Sequence, residues 1–231
     1  MENTLPERKP GEHWREQLPW FTHETLLAKF VKKVGQGVLW PFIKPIFIGF
    51  ENIPPAGACI LAPNHISNFD PVMVGLYMPR HAFFMAKSEL FRNAFLRWFI
   101  RQWGAFPVER GQRDAWALQQ AGRVLQAGQM LCMFPEGTRS KNGAKLGKGK
   151  PGTAKLALEY NAPVLPTAIW GTHQVQAGKR TQVNIHIGRP LDLAAIAGSP
   201  PYDYEILEEA TTVIMKHIAA MLPAEHRGLY A

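Results

Sequence analysis

Apolar residues recur along this chain with two alternating periods, and each change of period marks an element. From Leu27 the positions Phe30, Val31, Val34 and Val38 return at helical spacing beside Lys29, Lys32 and Lys33, which predicts an amphipathic helix. Trp14, Leu18, Trp20 and Phe21 lead into it, and Trp40, Phe42, Ile43 and Phe47 extend the apolar load across Pro41 and Pro45. Residues 13–46 are therefore expected to form an N-terminal amphipathic helical segment, after a polar, charged stretch over 1–12 expected to be unstructured. Beyond it, short apolar runs at 47–50, 58–62, 82–86, 105–108, 130–134, 164–169 and 183–187 read as strands. Stretches of helical period at 71–78, 88–103, 112–127, 153–160 and 204–221 separate them. Strands parted by helices predict the α/β class, a mixed, mainly parallel sheet flanked by helices, with 47–231 as one domain. At 231 residues the chain exceeds an average domain and falls short of two, and no internal repeat divides it.

Charge narrows what the chain can meet. A formal net charge of +8 implies an anionic partner: nucleic acid, an anionic membrane surface, or an acidic carrier protein or coenzyme. The N-terminal segment favours the membrane. Lys44 and the two prolines interrupt it too often for a bilayer span, whereas a basic, aromatic, amphipathic stretch suits the headgroup region. The competing reading is a helix that packs on the domain's own core. The charged start lacks the apolar stretch of a cleavable signal, so the expected location is the cytoplasmic face of a membrane, peripheral or monotopic. Within 88–103, Phe91, Phe95, Trp98, Phe99 and Trp103 surround Arg97 and Arg101, a second candidate contact for headgroups. Cys59 and Cys132 lie in apolar runs and read as reduced core residues. His173, His186 and His217 are widely separated, and no metal site is expected from them.

Two segments carry candidate chemistry. In Asn64-His65-Ile66-Ser67-Asn68-Phe69-Asp70, followed by Pro71, Asp70-Pro71 reads as a helix start and His65 as a residue of the preceding turn. There Asp70 could accept from one ring nitrogen, fixing the tautomer and leaving the other to take a proton from a hydroxyl. Taken alone, the pair reads rather as only a cap and a turn residue, because short His and Asp spacings are common. The second segment, Phe134-Pro135-Glu136-Gly137-Thr138-Arg139-Ser140, follows the apolar run 130–133 and opens a stretch alternating Gly and Lys. A strand emptying into such a loop resembles an anion site, since Gly lets backbone amides approach a phosphate and Arg offers it a planar, permanently charged fork. The loop does not fit the Walker pattern, so P-loop nucleotide hydrolysis is not indicated. His65, Lys87, Arg110 and Arg139 each follow an expected strand, and α/β sheets gather their sites beyond strand ends, so one crevice could collect all four.

Together these blocks resemble the lysophosphatidic acid acyltransferase family of glycerolipid acyltransferases. The first matches its N-H-x-x-x-x-D block, and Phe134 to Ser140 is its F-P-E-G-T-R-S block intact; Gly104-Ala105-Phe106-Pro107-Val108-Glu109-Arg110 and Ala162-Pro163-Val164-Leu165-Pro166 resemble its second and fourth. Glu109 stands where Asp is common, and Pro107 interrupts the apolar run. The resemblance implies that His65 deprotonates the acceptor hydroxyl, that Asp70 orients it, and that Arg139 binds the acceptor phosphate, with Gly137 and Thr138 shaping its loop. It implies Lys87 and Arg110 as further basic positions on that phosphate, and Glu136 as a residue holding Arg139 or Lys87 in place. The reaction so implied moves a fatty acyl chain from a thioester to a lysophospholipid hydroxyl, most plausibly 1-acyl-sn-glycerol 3-phosphate giving phosphatidic acid. No cofactor is bound; acyl-CoA or acyl-ACP serves as donor substrate, with the membrane surface and an acyl carrier protein as candidate partners and nucleic acid as none. The alternatives are an acyltransferase for glycerol 3-phosphate or another lyso-lipid, a thioesterase, or a non-catalytic peripheral lipid-binding protein. A nucleic-acid binder would leave the His65 and Asp70 pair without a task.

Overall fold

The computed structural model describes residues 14–109, 114–140 and 144–231. The expected disorder over 1–12, the basic position Arg110, and Lys141 and Gly143 of the Gly/Lys stretch lie outside the described residues.

Seven strands form one sheet: β1 (Ile43–Ile48), β2 (Cys59–Pro63), β3 (Ala82–Lys87), β4 (Ala105–Val108), β5 (Met130–Cys132), β6 (Val164–Trp170) and β7 (Thr181–Ile187), in the spatial order β1-β7-β6-β2-β5-β3-β4. All pairings are parallel except β6 with β7, so β2 to β6 run one way while β7 and β1 run the other. The class is the mixed, mainly parallel α/β sheet that the pattern implied. Alternate residues of the central strands feed two cores, as the twofold period of a strand requires. Ile60, Leu131, Val164 and Ala168 face α4 (Ala115–Gln126), α5 (Gly152–Glu159) and α7 (Tyr204–Met221). Leu61, Cys132, Leu165 and Ile169 face α2 (Asp70–Tyr77) on the other side. Pro107 and Pro45 both sit on edge strands, β4 and β1, where a missing ladder donor is tolerated.

Three boundaries differ from expectation. The N-terminal helix, α1 (Leu26–Leu39), ends well short of residue 46, and Ile43 to Ile48 pair with β7, with Ile43 fully buried. The stretch 88–103 breaks at Asn93, whose side chain accepts from Leu96 N at 2.9 Å and caps α3 (Ala94–Gln102) after a 3-10 turn. Likewise α4 starts at Ala115 because Asp114 caps it, accepting from Ala117 N at 3.0 Å. A four-residue helix, α6 (Ala194–Ala197), and several 3-10 turns complete the chain.

Part of the segment before α1 packs into the domain. Trp14 is buried, and Trp20 meets Trp116 edge to face at 5.4 Å between ring centroids. Arg15, also buried, pairs with Asp114 at 2.5 Å. Arg101 donates to Pro19 O and lies over the Trp20 ring, so it is spent on this packing rather than turned to headgroups as its helical position suggested.

α1 is packed with its polar side inward. Lys32 donates to Met78 O, Gln36 donates to Leu76 O at 2.6 Å, and Gly35 lies against Leu76, all at the end of α2. Its apolar stripe of Leu26, Phe30, Val34 and Val38, continued by Trp40, stays exposed, with Phe30 at 64 %. Thr25 caps α1 and also donates to Gln102 O at 2.9 Å, tying its start to the end of α3, where Phe95 and Trp98 are exposed too. No described helix is long and apolar enough to cross a membrane.

Candidate active site

The five co-directional strands bring their following residues to one edge of the sheet, as expected for such folds. Asn64 and His65 follow β2, Phe134 to Ser140 follow β5, Lys87 ends β3 and Thr172 follows β6. Asn64 extends the sheet by side chain: its amide donates to Ile169 O at 2.9 Å and accepts from Ile169 N at 2.7 Å, which fixes where the chain leaves β2.

His65 leaves that point as a turn residue facing the first turn of α2. Its Nδ1 lies 2.8 Å from Asp70 Oδ2, which also accepts from Ile66 N and Ser67 N, each at 2.7 Å. Asp70 Oδ1 accepts from Thr172 Oγ1 at 2.6 Å. Asp70 is wholly buried, and four donors surround its carboxylate, as a buried charge requires. With Nδ1 held by a carboxylate, the imidazole carries its proton there and presents a bare Nε2. That nitrogen has no hydrogen-bond partner among the described residues, and His65 as a whole is 6 % exposed. Phe134 backs the ring in a stacked contact at 4.1 Å. The arrangement suits a group that accepts a proton at one nitrogen and shares the resulting charge with a buried carboxylate.

Glu136 is buried and joins the two blocks. Its Oε1 accepts from His65 N at 2.8 Å and its Oε2 from Gly147 N at 2.8 Å, while Ser140 N donates to His65 O at 2.7 Å. Burial pushes its carboxyl pKa up, against the two amides that draw it down. The expectation that Glu136 holds Arg139 or Lys87 is therefore corrected: it holds backbone, because the residue after β2 and the loop at Gly147 leave peptide donors with no ladder partner. Lys87 instead pairs with Glu89 at 2.9 Å, both partly exposed. Arg139 is exposed and lines a crevice of about 450 Å³ with Glu136, Thr138, Lys145 and Lys148. Gly137 takes a left-handed φ of 68° at the turn, where an added Cβ would meet the Lys150 side chain at 3.0 Å.

Of the residues expected at the site, His65 and Asp70 are bonded to each other. Glu136, Thr138 and Arg139 share one crevice joined to them through backbone, and Gly137 lies in the same turn. Lys87 lies on the same sheet edge without lining that crevice. Arg110 is outside the described residues. Thr172, Asn64 and Phe134 contribute contacts that the motif reading gave no role. Asn64 and Phe134 stand inside the two blocks and could have been weighed; Thr172, just past β6, carries no such mark. Cys59 and Cys132 are free and buried, and burial pushes the Cys132 thiol well up.

A family model described as Acyltransferase matches residues 44–170. The 1-acyl-sn-glycerol-3-phosphate acyltransferase of Bacillus subtilis is 30% identical over 152 residues, covering 65% of this chain and 75% of that protein. The protein of the same name from Streptococcus pneumoniae is 34% identical over 140 residues, covering 59% of this chain and 51% of that protein. Among solved structures, the 1-acyl-sn-glycerophosphate (LPA) acyltransferase PlsC from Thermotoga maritima is similar with a TM-score of 0.65 at 29% identity, covering 84% of this chain and 79% of that one.

Proposed function

This chain belongs to the acyltransferase family, and from that premise we propose that it transfers a fatty acyl chain from a thioester to the free hydroxyl of 1-acyl-sn-glycerol 3-phosphate, yielding phosphatidic acid for phospholipid synthesis. The observation that carries the reading is the His65 to Asp70 bond of 2.8 Å, on a turn tied through Glu136 and Ser140 to the loop that carries the exposed Arg139. In this reading the acceptor phosphate rests on Arg139, with Gly137 and Thr138 shaping the turn, and the hydroxyl points to His65 Nε2. The hydroxyl oxygen bonds to the thioester carbonyl carbon as its proton passes to Nε2. When the tetrahedral intermediate collapses, the carbon–sulfur bond breaks and the imidazolium returns the proton to the departing thiolate. No acyl-enzyme is required. Asp70 stabilises the imidazolium, and Glu136 sets the distance between the two blocks. The acyl donor is an acyl thioester of coenzyme A or of an acyl carrier protein, both acidic and suited to a basic surface.

Acceptor-dependent thiol release from an acyl thioester tests the reaction. Release only with lysophosphatidic acid supports it, acceptor-independent release indicates a thioesterase, and no release indicates a lipid binder. Arg139→Ala should raise the acceptor KM about 10- to 100-fold with a smaller change in kcat, because a charge-assisted contact present in ground and transition states alike is lost. An unchanged KM would remove Arg139 from the phosphate.

We also infer that the exposed stripe of α1 docks on an anionic lipid surface, supported by its outward apolar residues and the exposed Lys29 and Lys33 beside them. Phe30→Asp exchanges about 2 kcal/mol of apolar insertion for a charge, and partitioning onto phosphatidylglycerol vesicles should fall at least about tenfold. Undiminished sedimentation with those vesicles would count against the docking face.

A further inference from the structure

The crevice beside Arg139 has a wall contributed by residues far outside the 44–170 matched to the family. Lys145 to Lys150 form no helix or strand, yet Leu146 is 2 % exposed. Peptide groups outside helix and strand must find their partners elsewhere. Gly147 N finds Glu136 and Lys150 N finds Pro135 O at 2.8 Å. Lys145 O accepts from Ser140 Oγ at 2.6 Å, and further bonds come from two 3-10 turns, Ala224–His226 and Gly228–Tyr230. Leu146 N donates to His226 O at 2.8 Å, Leu229 N donates to Leu146 O at 3.4 Å, and Gly149 N donates to the Tyr230 hydroxyl at 3.2 Å. Gly228 has a left-handed φ of 58°, and an added Cβ there would stand 2.0 Å from Leu146 O. Only glycine fits where the turn crosses the loop backbone to backbone.

The crevice is lined by Arg139, Lys145 and Lys148 together with Gly228 and Leu229. The Glu136 oxygens are committed to peptide N–H groups, and Lys148 shares Glu208 Oε1 at 3.4 Å in an exposed pair worth little. Positive charge is therefore in surplus there among the described residues. A phosphate monoester, carrying about 1.5 to 2 negative charges near neutrality, can use more than one guanidinium.

We propose that the turns 224–230 are positioning elements for the acceptor's phosphate monoester: by clamping Leu146 and Gly149 they hold Lys145 and Lys148 in one crevice with Arg139. The identity of the ligand rests on the acyl-transfer reading above; the clamp rests on the bonds themselves.

The test uses Gly228→Val and Tyr230→Phe in the full chain. Three quantities are read: kcat, the KM values for 1-acylglycerol 3-phosphate and for the acyl thioester, and the Kd of inorganic phosphate from NMR titration. Gly228→Val should raise the acceptor KM and the phosphate Kd together by about tenfold or more, with kcat and the donor KM within about twofold. Tyr230→Phe, losing one bond, should raise both by about two- to fivefold. If Gly228→Val does not fold, Tyr230→Phe decides alone. A folded variant with both values unmoved overturns the clamp, as does a rise confined to the donor KM. Phosphate binding that depends on Gly228 in a protein that acylates no lysophospholipid would support the clamp while overturning the acyl-transfer reading.

Discussion

His65→Ala is expected to lower acyl transfer by about 10²- to 10⁴-fold, the range a positioned general base supplies, while the chain stays folded. The fold should survive because the backbone of residue 65 is held independently of its side chain, by Glu136 at the N–H and by Ser140 N at the carbonyl. Asp70 would still accept from Ile66, Ser67 and Thr172. The loss should fall on kcat, because the imidazole acts on the proton in flight and contributes little to ground-state binding of the phosphate. Steady-state kinetics with circular dichroism read both quantities. A variant within tenfold of the parent would remove His65 from the role of base, whatever its geometry.

The arrangement that makes this prediction sharp was partly legible in the residues. Asp70-Pro71 announced a helix start, and that start is what aims the carboxylate back at the turn carrying His65. The strands from β2 onward were legible because they are short apolar runs bounded by Gly, Pro or polar residues, and their co-directional order explains why residues after β2, β3 and β5 share an edge. The first strand, expected at 47–50, runs instead over 43–48, because Ile43 and Phe47 continue the apolar load of α1 and only pairing with β7 makes 43–46 part of a strand. The break at Asn93 carried a capping residue that the run of aromatics masked. Thr172 lies 102 residues from Asp70, and no local pattern connects a threonine past β6 to a carboxylate on α2. Glu136 stands in a recognisable block, but its partners are not legible there, since side-chain chemistry suggests a cation where the fold offers peptide N–H groups.

The outward stripe of α1 follows the same logic at larger scale. Periodicity shows that a helix has two faces and leaves open which one meets the protein. Here Lys32, Gly35 and Gln36 face α2 because it ends beside them, and the Leu76 and Met78 carbonyls at its end need donors. An apolar side that turns away from its own core is an energetic liability in water, and Phe95 and Trp98 on α3 add to it. The docking on lipid proposed above would remove that liability.

Asp70→Asn separates the electrostatic from the structural work of the buried carboxylate. An asparagine oriented with its oxygen at Oδ2 can still accept from His65, Ile66 and Ser67, while its amide donates to Thr172 Oγ1, a hydroxyl able to reverse its bond. Stability should therefore fall by only about 1 kcal/mol. Activity should fall by about 10²-fold or more, because the imidazolium formed during transfer loses a charge at 2.8 Å in a buried setting, and a neutral amide replaces little of it. Asp70→Ala should do both kinds of damage. It strands the Ile66 and Ser67 amides and the Thr172 hydroxyl in the interior, at a cost of about 3 kcal/mol or more. Chemical denaturation and kcat, measured on the two variants side by side, resolve the split. Equal stability loss in both would mean that the amide finds no such orientation, and full activity in Asp70→Asn would mean that the proton moves without help from the buried charge.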